Sequence, residues 1–262
     1  MYSRLIGVIA LGAVAITMAC PARAQMYDGS AYAFPVPDYV GPYLSSSIIG
    51  SSMNSGGNSS KKKTSKNRTS RTAKQKSSPT PKTASAADKQ RLIFYPSSAV
   101  TRQSNENLAK LLAKDNQIQR SYVLKELNKG EISRSFAQAI APYKLSSRNL
   151  GDVSAAYYLI SWKIANGVQG DLNRSFVEAT RRSTQNTLAL SPQVRAMSNK
   201  NKQLAAEHLI NIGTLMLMAE KEMQRKNDIN GLRRMRESVH RNALKQTGVD
   251  LKKIKLTSRG LE

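Results

Sequence analysis

The sequence predicts an all-α protein: a single helical domain of about five to seven antiparallel helices, preceded by a signal peptide and a disordered basic linker. Three observations lead there. Apolar residues recur at helical spacing through most of residues 92–262. No set of alternating strands able to build a sheet is present. Residues 45–91 are rich in Ser and Lys and carry too few apolar side chains to offset the entropy of ordering the backbone.

The chain opens MYSRLIGVIALGAVAITMACPARAQ. Arg4 precedes an apolar run from Leu5 to Ala19, and Ala22-Arg23-Ala24 places small residues at −3 and −1. That order is a secretory signal with cleavage after Ala24, and the run falls short of the ~20 residues a membrane-spanning helix needs. Export to the periplasm or the exterior is therefore expected. An alternative makes Cys20 a lipidated anchor, although Thr17 and Pro21 depart from the usual lipoprotein pattern. Cleavage after Ala24 leaves a mature chain without cysteine, so disulfides, thiol catalysis and cysteine metal sites fall away together.

Residues 25–44, QMYDGSAYAFPVPDYVGPYL, hold five aromatics among Pro35, Pro37 and Pro42 and read as an extended arm. In the linker, Lys61-Lys62-Lys63 begins a basic half that contains no aromatic residue, so stacking on single-stranded bases is not supported there. The net charge is +8 over residues 25–91 and +14 over 92–262. Such a balance favours anionic partners without dictating fold, and no specific nucleic-acid recognition is expected.

Within the domain, LIFYP (92–96) is a short apolar anchor ended by Pro96. Leu108, Leu111 and Leu112 mark a first helix, and Ile118, Val123 and Leu127 carry its pattern toward Gly130. Ile132, Phe136 and Ile140 mark the next, stopped at Pro142. Asn149 to Asn166 is a third. Ser175 to about Leu188 follows, then a short helix started by Ser191-Pro192. A long helix spans about Lys200 to Lys226, with Gly213 suited to close packing. The last runs from about Gly231 to Gln246 and stops at Gly248, and VDLKKIKLTSRGL reads as an extended tail packed on the core.

The third helix is the most informative. Asn149 suits an N-cap, with Asp152 placed to return a bond to the cap backbone. Leu150, Val153, Tyr157, Ile160 and Ile164 form one apolar stripe, while Ala155, Tyr158, Leu159, Trp162 and Ala165 occupy much of the other side. A helix apolar on two sides is normally buried between neighbours. Tyr158 and Trp162 are the groove candidates if their rims reach solvent, and core residues otherwise.

Three stretches, LIFYPSSAVTR, SFAQAIAPYKLSSRNLGDVSAAYYLISWKIANG and TGVDLKKIKLTSRGLE, resemble a family of uncharacterised secreted bacterial proteins of unknown function. The resemblance rests on the Asn149/Asp152/Trp162 helix and the closing Gly-Leu tail, and covers about residues 92–262. It implies a helical domain in the envelope or outside the cell, and brings no catalytic residues or cofactor.

Signs of catalysis are sparse. His208 lies on the apolar face of the long helix and His240 on a basic surface, and neither joins a metal-binding spacing. Met216, Met218 and Met223 read as core filling before copper ligation. No nucleophile elbow, phosphate loop or dinucleotide fingerprint is present, and Glu131 and Glu178 read as solvated helix acids. No catalytic residue, metal or cofactor is assigned. GLRRMRESVHRNALK instead sets Arg233, Arg234, Arg236, Arg241 and Lys245 along one helix with Glu237 the lone opposing acid. Arginine forks match phosphate and carboxylate well, so these five are the anion-binding candidates. The resulting expectation is a non-enzymatic exported protein that binds an acidic envelope component or protein partner, with a cell-wall-acting enzyme and a small-ligand carrier as alternatives.

Overall fold

Leu92 and Phe94 are buried while Tyr95 between the anchor and Pro96 is exposed, as an apolar plug at a chain entry requires. Ile93 forms an isolated antiparallel bridge with Asn149. The Phe94 N–H donates to the Arg148 carbonyl at 3.1 Å, and the Leu150 N–H to the Leu92 carbonyl at 3.0 Å. The plug is thereby tied to the start of the central helix. These relations come from a computed structural model that describes residues 83–262 apart from 114, 115, 258 and 262. The expected signal peptide, Cys20, the arm and the linker through residue 82 lie outside the described residues.

Among the described residues the chain is all-α, with seven helices of ten residues or more and two of five. In order they are α1 (Ala86–Gln90), α2 (Ser98–Ala113), α3 (Gln117–Leu127), α4 (Glu131–Ile140), α5 (Leu150–Asn166), α6 (Arg174–Leu190), α7 (Pro192–Ala196), α8 (Asn199–Arg225) and α9 (Ile229–Thr247). A 3-10 turn at Ala141–Tyr143 follows α4. The tail closes as a two-stranded antiparallel hairpin, β1 (Leu256–Thr257) with β2 (Gly260–Leu261).

Two boundaries differ from expectation. The end of the expected linker is structured: Ser85 and Asp88 form a reciprocal capping box on α1, Ala84 is buried, and α1 packs on α6. Local capping here outweighs a composition that reads as spacer. The apolar pattern running from Leu108 to Leu127 is divided into α2 and α3. Asn116 caps α3, accepting from the Gln119 N–H at 2.9 Å, so α3 packs back on α2.

Helix α5 packs against α6, α8 and α9 and separates two apolar clusters. Val153, Tyr158 and Leu159 belong to the first, together with Phe136 and Ile140 of α4. Ile164 and Ala165 belong to the second, with Met216, Met235 and Leu251. Tyr157 and Ile160 touch both. Each large side chain buried in this way contributes about 1.5–3 kcal/mol, which makes α5 the element on which both cores depend. The 27-residue α8 also spans both clusters. Its Gly213 lies along α5, where an added Cβ would meet Ile160 Cδ1 at 3.4 Å.

The tail is docked through specific bonds. The Trp162 indole N–H donates to the Ile254 carbonyl at 3.0 Å, and Asn166 Nδ2 to the Leu251 carbonyl at 3.0 Å. Gly260 has φ +115°, and a Cβ there would approach the Thr180 backbone nitrogen to 3.3 Å. Only glycine suits that hairpin position against α6.

Candidate functional site

Asp152 is 0% exposed. It does not close a capping box. Asn149 Oδ1 alone caps α5, accepting from Gly151 N–H at 2.8 Å and Asp152 N–H at 3.3 Å. The Asp152 carboxylate turns away, accepting from the Ser146 N–H at 2.9 Å, Arg181 Nε at 2.9 Å and Nη2 at 3.3 Å, and Gln185 Nε2 at 2.6 Å. The arginine and glutamine come from α6, which approaches so closely that a Cβ on Gly151 would lie 2.8 Å from Gln185 Cγ. Burial works against the Arg181 charge. The hydrogen bond and charge of Asp152, with Glu178 beside them, outweigh it and raise the Arg181 pKa. A carboxylate held by four donors out of reach of water is a structural tie between α5, α6 and the 146–149 loop.

Tyr158 and Trp162 do not share an open face. Tyr158 is 6% exposed within the first cluster, and burial, with the neighbouring Tyr157, pushes its phenol pKa up. Its ring meets Tyr157 edge-on, with centroids 6.2 Å apart. Trp162 packs on the second cluster with its N–H committed to the tail.

The five basic candidates on α9 separate into two faces. Asp228 caps the helix, accepting from the Gly231 N–H at 2.7 Å, and Met235 and Val239 point into the core. At 3.6 residues per turn, Arg234 and Arg236 stand roughly 160° apart, on opposite flanks of Met235. Arg234, Arg241 and Lys245 follow one flank. Arg233 and Arg236 occupy the other, where they line an open cleft of ≈ 530 Å³. Its remaining walls are Ala165 and Asn166 at the end of α5, Ile229, Leu232 and Glu237 of α9, and Lys252 of the tail.

Arg236 is held against the end of α5. Gly167 ends that helix with φ +64°, and a Cβ there would lie 2.8 Å from Arg236 Cζ. Cations at a helix C-terminus are favoured by the unsatisfied carbonyls, yet Arg236 Nε is buried with no hydrogen-bond partner. Nearby on α8, Glu220 is 6% exposed with Oε1 likewise unpartnered. Burial raises its pKa, while Lys163 and Arg236 pull in the opposite direction.

Lys252, Asn166 and Ile229 are the cleft residues that sequence reasoning missed. The apolar Leu251 and Ile254 on either side of Lys252 and Lys253 mark Lys252 as outward-facing, but its meeting with α9 depends on the long-range bonds of Trp162 and Asn166. The histidines lie elsewhere. His208 is buried in α8, and His240 Nδ1 stands 3.6 Å from Asp250 Oδ1. Met216 and Met223 are core residues with Met218 packed against them, and Glu178 stands 3.6 Å from Arg181. Among the described residues, no group of three or more His, Cys, Asp or Glu side chains is placed to hold a metal ion.

Fold and cleft define a basic all-α domain in which, among the described residues, no helix is long and apolar enough to cross a membrane. The chain belongs to the "Family of unknown function (DUF6683)", whose model matches residues 5–262. That span extends well before residue 92, where the resemblance of the three quoted stretches begins. No curated protein and no solved structure matches the chain.

Proposed function

We propose that this is an exported, non-enzymatic binding protein that holds an acidic component of the cell envelope, or an acidic protein, at the α5–α9 cleft. The observation that carries the reading is the convergence of Arg233, Arg236 and Lys252, drawn from two separate elements, on one cleft. Among the described residues, Glu237 is the only acid lining it. Convergent cations on fixed elements recognise an anion at lower entropic cost than a solvated stripe does. Arg234, Arg241 and Lys245 would then add long-range steering, which rim charges supply more than affinity.

The test compares two triple variants of the full chain for binding to immobilised heparin and to lipopolysaccharide over a salt series. Replacing Arg233, Arg236 and Lys252 by Ala is expected to lower affinity at least tenfold. Replacing Arg234, Arg241 and Lys245 is expected to reduce mainly the salt dependence. Binding that is absent at low salt, or equally affected by both triples, overturns the proposal.

A further inference from the structure

We infer that the cleft takes a single-chain anionic amphiphile, its phosphate or carboxylate headgroup on Arg236, Arg233 and Lys252 and its aliphatic tail along Ile229, Leu232 and Ala165. This rests on the anion-binding reading above and narrows it to one ligand chemistry.

Three features of the cleft lead to that chemistry. Arg236 makes no hydrogen bond and no ion pair among the described residues, although its guanidinium is already fixed against Gly167. A ligand anion would offer acceptors to its terminal nitrogens without ordering a loose side chain. Next to it the wall is aliphatic: Ile229 is 77% exposed on the first turn of α9, and Leu232 one turn on lines the same space. An exposed isoleucine beside an arginine that makes no hydrogen bond is a poor surface for water and a good one for a molecule with a charged end and an apolar body. The volume, ≈ 530 Å³, lies within the range of small-molecule sites. It suits one headgroup and a medium-length chain.

The test titrates the full chain by calorimetry with decyl phosphate, decanoate and decyltrimethylammonium, each below its micelle concentration, and with inorganic phosphate. Decyl phosphate and decanoate are expected to bind 1:1, decyl phosphate at least tenfold tighter than inorganic phosphate, and the cationic amphiphile not to bind stoichiometrically. Arg236→Gln should weaken both anionic amphiphiles about tenfold. Ile229→Asn, at a position too exposed to disturb folding, should weaken them several-fold. Equal binding of the cationic amphiphile, decyl phosphate no tighter than phosphate, or an Ile229→Asn variant identical to the parent overturns the inference. So does association with anionic vesicles alone. If heparin binding still depends on Arg233, Arg236 and Lys252 in those cases, the broader reading stands. If no anion binds, both fall.

Discussion

The guanidinium of Arg236 occupies the space that any side chain at residue 167 would need, a Cβ there lying 2.8 Å from Arg236 Cζ and 2.9 Å from Nη1. The end of the central helix and the candidate cleft are thus one packing unit. Gly167→Ala imposes two costs: a non-glycine residue at φ +64°, worth about 1–2 kcal/mol, and displacement of Arg236. Urea unfolding should show a loss of at least about 1–2 kcal/mol, and heparin affinity should fall together with it. A stability loss with unchanged affinity would separate the helix end from the cleft.

Asp152→Ala should be among the more damaging single changes. It strips Arg181, Gln185 and the Ser146 N–H of their shared acceptor. Breaking a buried ion pair typically costs about 3–5 kcal/mol. The lower end applies, because the Arg181 side chain is 28% exposed and can recover water. Pairing it with Arg181→Met in a double-mutant cycle should give a loss well below the sum of the two singles, as expected for coupled partners. Strict additivity would show that the pair contributes nothing.

The contrast between Asn149 and Asp152 shows what a sequence can reveal. Capping by Asn149 is legible because its donors lie two and three residues away, and the same holds for Ser191 before Pro192 and Gly248 after α9. Asp152 has the right spacing for a cap, but its strongest partners are 29 and 33 residues distant, on a helix whose approach depends on Gly151. The basic helix was equally legible in composition. Its division into two faces follows from the burial of Met235 and Val239, whereas the arrival of Lys252 follows from bonds spanning 85 and 92 residues. The break between α2 and α3 was hidden because apolar spacing continues through it.

Glu220 gives the protein a pH-dependent term of definite sign. Its folded pKa is raised above the ordinary 4.5 by burial, with Lys163 of α5 and Arg236 of α9 opposing. The folded state therefore holds the proton more tightly than the unfolded chain, so this group's contribution is fully present below pH 4.5 and lost as the pH rises through the folded value. Glu220→Gln should be more stable than the parent at neutral pH, with the difference vanishing below pH 4.5. Glu222, hydrogen-bonded to Arg225 and Lys226, has its pKa lowered to about 2. Its contribution is present above 4.5 and is lost as the pH falls toward 2, so Glu222→Gln should differ from the parent in the opposite sense. Chemical denaturation at several pH values distinguishes them.

Trp162 connects the core to the cleft without touching a ligand. Its N–H holds the Ile254 carbonyl, and one turn later Asn166 Nδ2 bonds both the Trp162 and Leu251 carbonyls. Lys252 lies between the two anchored carbonyls, so its position depends on both bonds. Trp162→Phe keeps most of the apolar contact and removes the donor, leaving the Ile254 carbonyl short of a partner at a cost of about 1–3 kcal/mol. Because the loss is local, amide exchange should accelerate chiefly over residues 249–257 rather than throughout the two cores. Heparin affinity should fall only a few-fold, since Arg233 and Arg236 stay in place. An equal fall in the Lys252→Ala background would show that Trp162 acts by some route other than positioning Lys252.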